Sequence, residues 1–239
     1  MDPFQVLDIK NLGRLDYRAA YALQEQSLAR VLERRESGAS SSSLGELLLV
    51  EHDPVVTVSN RPGSAAHLLA TATELQAAGV AVEPTDRGGD ITYHGPGQIV
   101  AYPIVDLNKA GLRLHDYLRV LEAAVIETCA EFGITAQRDA AATGVWVQTP
   151  GGLAKVCAMG IRVRQWISMH GLALNVEPDL SHFGLIVPCG LPRPVTSMRL
   201  LLGEACPPMS AVREVLARCI MAQLAAHAAA RLSRQAGSA

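Results

Sequence analysis

The stretch Arg87-Gly88-Gly89-Asp90-Ile91-Thr92-Tyr93-His94-Gly95-Pro96-Gly97-Gln98 places four glycines and a proline in twelve residues beside an apolar run. Glycine lets a backbone approach a ligand closely or take positive φ, and Arg87, Thr92, Tyr93 and His94 supply polar heads around it. A pair of turns around a buried histidine would use some of the same residues, but turns alone do not need this density of polar and glycine positions. A ligand-binding loop is therefore expected here. Its spacing gives neither Gly-x-Gly-x-x-Gly after a strand nor a loop ending in Gly-Lys-Ser/Thr, so nucleotide binding loses support.

Three further segments carry reactive or permissive groups. In Lys155-Val156-Cys157-Ala158-Met159-Gly160 a lysine opens an otherwise apolar strand. Strict alternation puts Lys155, Cys157 and Met159 on one face, turned to core or cleft, although a lone lysine on a strand is ordinarily solvated. In Ile186-Val187-Pro188-Cys189-Gly190-Leu191 the cysteine sits between proline and glycine, not on an apolar periodic face as Cys129 and Cys219 do. An accessible thiolate would occupy such a punctuated loop, though a single thiol there says little alone. Met169-His170-Gly171-Leu172-Ala173-Leu174-Asn175-Val176 has small residues that could line a groove for an alkyl chain. A strand passing close beneath another element would look the same.

The elements that must position these groups follow from periodicity. Asp16 is a cap for a helix to about Glu36, which ends in Ser37-Gly38 before a flexible serine run, Ser40 to Ser43. Leu47 to Val50 and Val55 to Val58, split by His52-Asp53-Pro54, give a strand, turn, strand signal. Thr71 and Glu74 have capping-box spacing for a short helix stopped by Gly79, and Val80 to Glu83 and Ile99 to Val105 read as strands. Leu114, Tyr117, Leu118, Leu121, Val125, Cys129 and Phe132 form one helical stripe closed by Gly133. Gly144 to Gln148, Lys155 to Trp166 and Ile167 to Val176 alternate as sequential strands with a tight turn near Trp166, and Ser210 to about Arg231 is an Ala-rich terminal helix. Strands grouped in runs with helices between the groups make an α+β pattern.

The 239 residues allow one sizeable core, and one domain is expected over 1–239, its core about 5–220. A formal net charge of -2 gives no global field for nucleic acid or an anionic membrane. Five cysteines without a Cys-x-x-Cys pair argue against a disulfide framework or a structural zinc site and for a reducing compartment. With no basic and apolar leader and no run approaching the roughly 20 apolar residues of a membrane span, a cytoplasmic location is expected.

Taken together and in this order, R-G-G-D-I-T-Y-H-G-P-G-Q (Arg87 to Gln98), K-V-C-A-M-G (Lys155 to Gly160), H-G-L-A-L-N-V (His170 to Val176) and P-C-G-L (Pro188 to Leu191) closely resemble the octanoyl-carrier-protein:protein octanoyltransferases of lipoate biosynthesis. The resemblance covers about residues 5 to 220 and leaves out Ser40 to Ser43, Pro192-Arg193-Pro194 and the tail after Arg231. It implies the fold shared with biotin and lipoate protein ligases, a mostly antiparallel sheet flanked by helices. It also implies a catalytic dyad of Cys189 and Lys155. On the same pattern the acyl pocket is lined by Arg87, Gly88, Gly89, Asp90, Ile91, Thr92, Tyr93 and His94, with Ala158, Met159 and Gly160 and with Gly171, Leu172 and Ala173. No cofactor or metal is expected.

The implied donor is octanoylated acyl carrier protein. The implied acceptors are lipoyl domains of 2-oxoacid dehydrogenase E2 subunits and the glycine cleavage H protein. These partners are acidic, so Arg162, Arg164, Arg193 and Arg199 are candidates for a docking patch, or simply solvated residues. Three rivals stand beside this reading. An ATP-dependent lipoate or biotin ligase of the same fold would also use a glycine-rich segment and a lysine near Lys155 but no cysteine nucleophile, and Cys189 tilts the choice to the transferase. A binding module without turnover would tolerate loss of the dyad, and both members are present. A metal site from His94, His170 and Cys189 has suitable donors but no ligand spacing.

Overall fold

The structure, a computed structural model, describes residues 6–38, 43–188 and 193–236, with side chains as far as 229. Strands β2 (Gly45–His52), β6 (Gln98–Val105) and β10 (Ile167–Asn175) are almost continuously buried, because both faces of each carry apolar side chains. They are the centre of a seven-stranded sheet. Around them lie β1 (Leu7–Leu15), β7 (Ala136–Gln137), β8 (Val145–Thr149) and β9 (Gly152–Arg164), in the order β1-β2-β6-β10-β9-β8-β7. Every neighbouring pair is antiparallel except β1 with β2.

On one face Leu48, Val50, Val100, Tyr102, Ile104 and Met169 pack beneath α1 (Tyr17–Glu36). On the other, Leu47, Leu49, Ile99, Leu172 and Leu174 pack beneath α4 (Leu114–Glu131) and α6 (Met209–Ala236). Each Leu, Ile or Val so buried contributes about 1.5–3 kcal/mol. A second sheet of β3 (Val55–Ser59), β4 (Ala81–Thr85) and β5 (Thr92–His94), ordered β4-β3-β5, has its own core of Val56, Leu75, Ile91, Tyr93 and Ile186. This is the α+β class that the strand grouping implied and the mostly antiparallel sheet that the family resemblance implied. Among the described residues no helix is long and apolar enough to cross a membrane.

Local chemistry fixes most boundaries. The Asp16 carboxylate accepts from the Ala19 N–H to start α1, and Thr71 with Glu74 forms a complete capping box at α2 (Ala72–Ala77). Gly133, at φ +76°, follows α4 in the left-handed conformation. Within the α4 stripe Tyr117 is fully buried, whereas Leu114, in the first turn, is 50% exposed.

The runs before and after His52-Asp53-Pro54 are both strands, as the strand, turn, strand signal implied, and β2 and β3 belong to different sheets. β1 has no counterpart in the sequence reading, because LDIKNLGRL mixes polar and apolar residues on an edge. It is anchored by charge: the buried Glu46 of β2 accepts from Lys10 of β1 at 2.7 Å and from Arg30 and Arg34 of α1 at 2.8 and 3.2 Å.

Candidate active site

β9 pairs with β8 through a bulge. Trp146 stands opposite Lys155 and Val145 opposite Cys157, with the register shifting between the two pairs. Consecutive residues of β8 point to opposite faces, so Lys155 and Cys157 do too. The sequence expectation that they share a face is therefore wrong, the inserted residue being Val156. Cys157 is fully buried in the core beneath α4, and burial pushes its thiol pKa well up. Lys155 turns the other way, 8% exposed, with its Nζ 4.7 Å from the centre of the Trp146 ring.

The backbone of Lys155 is clamped by the chain that follows the Pro-Cys-Gly segment. Its N–H donates to Pro194 O and its carbonyl accepts from Thr196 N–H, both at 2.9 Å. Arg193 stacks on the same Trp146 ring, 4.9 Å from its centre, and pairs with Asp139. On the other side of that segment, Val187 N–H donates to His67 O at 2.8 Å, and Pro188 lines a small cavity together with Lys155, Val195, Thr92, Ala158 and Ala173. The flank after residues 189–192 is thus hydrogen-bonded to Lys155, and the flank before them shares its cavity. Cys189 itself lies outside the described residues, as do Gly190 and Leu191.

Thr92, Ala158 and Ala173 also line a larger cavity, which runs from this point beneath β9 and β10 toward α1. The loop before β5 forms one wall. Gly88 N–H donates to Ile161 O at 3.0 Å, where β9 has run past the end of β8, and a Cβ on Gly160 would lie 2.5 Å from Gly88 O. Only glycine at 160 allows that contact. Arg87 reaches across β3, donating from Nη2 to Thr57 O and Oγ1 at 3.2 and 2.9 Å.

Of the residues expected at a pocket, Arg87, Gly89, Asp90, Thr92 and His94 line this cavity from the loop and β5. Ala158, Met159 and Gly160 of β9 and Gly171, Leu172 and Ala173 of β10 line it from the large sheet. Ile91 does not, because alternation along β5 turns it into the small core. Tyr93 does the same and touches only the smaller cavity. Gly88 serves as a backbone contact to β9. Gly97 is also structural: its carbonyl accepts from Val176 and Glu177, and a Cβ there would lie 2.5 Å from the Glu177 backbone.

The sequence reading placed neither Tyr17 nor Tyr102 at the site and weighed the side chain of His170 only as a metal donor; all three line the α1 end of the cavity. They come from three elements distant in the chain. His52 stands behind them: its Nδ1 meets Leu15 O at 2.9 Å and its Nε2 meets Tyr102 Oη at 2.8 Å. A carbonyl only accepts, so Nδ1 carries the proton and Tyr102 donates to Nε2. His94 bonds through Nδ1 to Gln98 Oε1 at 3.1 Å.

His170 has φ +57°, unusual for a non-glycine residue, and is held there by its N–H donating to buried Gln24 Oε1 at 2.8 Å. Its Nε2 donates to Asp86 at 2.8 Å, a carboxylate shared with Tyr21 Oη and Arg162. All three histidines are held neutral. Burial lowers His52 despite its bond to Leu15. Burial, then the neighbouring His52 and Arg87, take His94 far below its usual value, and burial with Arg87 and Arg162 takes His170 down to about 3.

Of the arginines considered for docking, Arg162 pairs with Asp86, Arg193 with Asp139 and Arg199 with Glu177. A cavity whose sheet wall is made of small and apolar residues, with Arg87, Asp90 and neutral histidines around it, and which shares Thr92, Ala158 and Ala173 with the small cavity of Lys155 and Pro188, can hold an acyl chain and present its carboxyl carbon to a nucleophile.

Residues 16–221 match the family description "Lipoyl protein ligase A/B catalytic domain". The chain is 46% identical over 214 residues to the octanoyltransferase of Chloroflexus aggregans, covering 89% of this chain and 92% of that one. Among solved structures, the bi-partite lipoate protein ligase of Thermoplasma acidophilum superposes with a TM-score of 0.63 at 15% identity, over 91% of this chain and 83% of that one. The biotin protein ligase of Aquifex aeolicus, in complex with biotin and ATP, superposes with a TM-score of 0.53 at 14% identity, over 91% and 70%. At these identities the structural likeness is one of fold.

Proposed function

The chain belongs to the lipoyl protein ligase A/B catalytic family, as one of its octanoyltransferases, and we propose that Cys189 and Lys155 carry out its acyl transfer through a thioester on the enzyme. The observation that supports this pairing is the shared small cavity: Lys155 and Pro188 both line it, Cys189 follows Pro188 directly in sequence, and Pro194 and Thr196 hydrogen-bond to the Lys155 backbone. Lipoyl-domain proteins are the acceptors. In our reading these are the lipoyl domains of 2-oxoacid dehydrogenase E2 subunits and the glycine cleavage H protein, the donor is octanoylated acyl carrier protein, and the reaction runs in the cytoplasm.

A free thiol with a pKa of about 8.5 is only a few per cent thiolate at pH 7, and an adjacent ammonium raises that fraction. The Cys189 thiolate attacks the donor thioester carbon. The tetrahedral species collapses by expelling the phosphopantetheine sulfur, which takes a proton from the Lys155 ammonium. The acyl chain then lies in the cavity under Thr92, Ala158 and Ala173. A neutral lysine ε-amine of the acceptor domain attacks the enzyme thioester, neutral Lys155 takes the proton that the amine sheds, and Cys189 leaves as thiolate. Lys155 is an ammonium again, so the cycle closes without a cofactor. One thioester replaces another of similar energy and the final amide is lower, so no ATP is consumed.

The same fold serves ligases that activate an acid with ATP, and one experiment separates the two. Octanoylated carrier protein plus an acceptor lipoyl domain, without ATP or Mg²⁺, should yield octanoylated acceptor. An absolute requirement for ATP with free octanoate would place the chain with the ligases.

A further inference from the structure

Tyr17 stands between two cavities. It lines the large cavity with His94, Tyr102 and His170, and it also lines a second one, on the other side of the first turn of α1, with Tyr21, Asn60, Thr85 and Asp86. No other side chain lines both among the described residues. The end near Lys155 lies elsewhere, at Thr92, Ala158 and Ala173, which the large cavity shares with the small one beneath that lysine.

The Tyr17 side chain is fixed. It is 5% exposed, its ring lies parallel to that of His94 at 6.5 Å and its centre is 5.6 Å from that of His52. Its hydroxyl meets Thr85 Oγ1 at 2.7 Å. Thr85 belongs to the lining of the second cavity and not of the first, so it is the ring that closes the first. The ring joins α1 to β4 and is held at both ends, so an acyl chain reaching it meets a rigid stop and not a side chain free to swing aside.

We propose that Tyr17 is the end wall of the acyl cavity and limits the length of chain the protein accepts. This rests on reading the cavity as the acyl site. A chain anchored near Lys155 runs past Ala158 and Ala173 and stops against the Tyr17 ring. Each further methylene would have to displace that ring from His94 and Thr85 before gaining any burial in the second cavity. Removing the ring joins the two spaces and lets a longer chain continue.

The test compares wild type, Tyr17→Ala, Tyr17→Leu and Tyr17→Phe by calorimetric binding of free octanoate and dodecanoate, alongside transfer from octanoyl and dodecanoyl carrier protein. Tyr17→Ala should raise the dodecanoyl-to-octanoyl ratio at least tenfold over wild type in both readouts, and Tyr17→Leu should raise it less. Tyr17→Phe, which keeps the ring, should stay within about threefold of wild type. Should Tyr17→Ala fail to fold, Tyr17→Leu, a good helix former, carries the same comparison. Wild-type ratios in folded Ala and Leu variants of an enzyme that still transfers octanoyl would overturn the wall alone. Failure of the wild type to bind either acid or to transfer would overturn the acyl cavity and the wall with it.

Discussion

Lys155, near the start of β9, and Pro188, in the segment after β10, line the same small cavity. Cys189 is the next residue, so the ammonium should govern its reactivity. Lys155→Ala should slow alkylation of Cys189 near pH 7 by about tenfold and move its pH profile upward, read by mass spectrometry of the modified peptide. Lys155→Arg keeps a positive charge but gives up no proton, so it should rescue alkylation better than transfer. An unchanged alkylation profile in Lys155→Ala would show that the dyad is wrong even with the family correct.

The three buried cysteines should be dispensable for chemistry. Cys129, Cys157 and Cys219 are buried on core faces, and burial raises the thiol pKa of each. Cys157→Ala, Cys129→Ala and Cys219→Ala should each retain most transfer while losing about 1–2 kcal/mol of stability, whereas Cys189→Ser should remove transfer at wild-type stability. A folded Cys157→Ala without activity, beside an active Cys189→Ser, would move the nucleophile to β9.

The neutral histidines around the cavity predict a pH dependence of folding. His52, His94 and His170 all have folded pKa values below the usual 6.5. Once unfolded they take up protons near pH 6.5, so the unfolded state binds more protons and stability falls as pH drops through that value. Each contributes up to about 1.4 kcal/mol per pH unit until its folded pKa is reached. The melting temperature should fall between pH 6.5 and 5, above the range where most carboxylates titrate, and fall less steeply in His94→Gln. A flat profile over that window would mean that these histidines are charged in the fold.

What the sequence disclosed follows from how local each signal is. The Thr71 and Glu74 capping box, the Tyr117 to Cys129 stripe and the strands of β6, β9 and β10 are written in neighbouring residues, and all are present. The separation of β2 from β3 depends on which partner each strand finds, and the parallel pairing of β1 with β2 depends on the buried charges around Glu46. Neither can be read from periodicity. The opposite facing of Lys155 and Cys157 arises from a bulge at Val156, which a period of two misses by one residue.

The candidate site divides in the same way. The glycine-rich loop and the two strand segments stood out by composition, and eleven of the fourteen residues they offered for a pocket line the cavity. Tyr17 and Tyr102 sit in elements that read as ordinary helix or strand, and only tertiary packing brings them beside His170 at one end of it.

The central claim is a covalent octanoyl thioester on Cys189, and intact-mass spectrometry after mixing the protein with octanoylated carrier protein alone tests it most directly. The account predicts a mass gain of one octanoyl group, located to Cys189 by peptide mapping, absent in Cys189→Ser and lost when acceptor lipoyl domain is added. An unmodified enzyme that still transfers octanoyl from carrier to acceptor at an undiminished rate would contradict it, since the chain would then pass directly between the two partners.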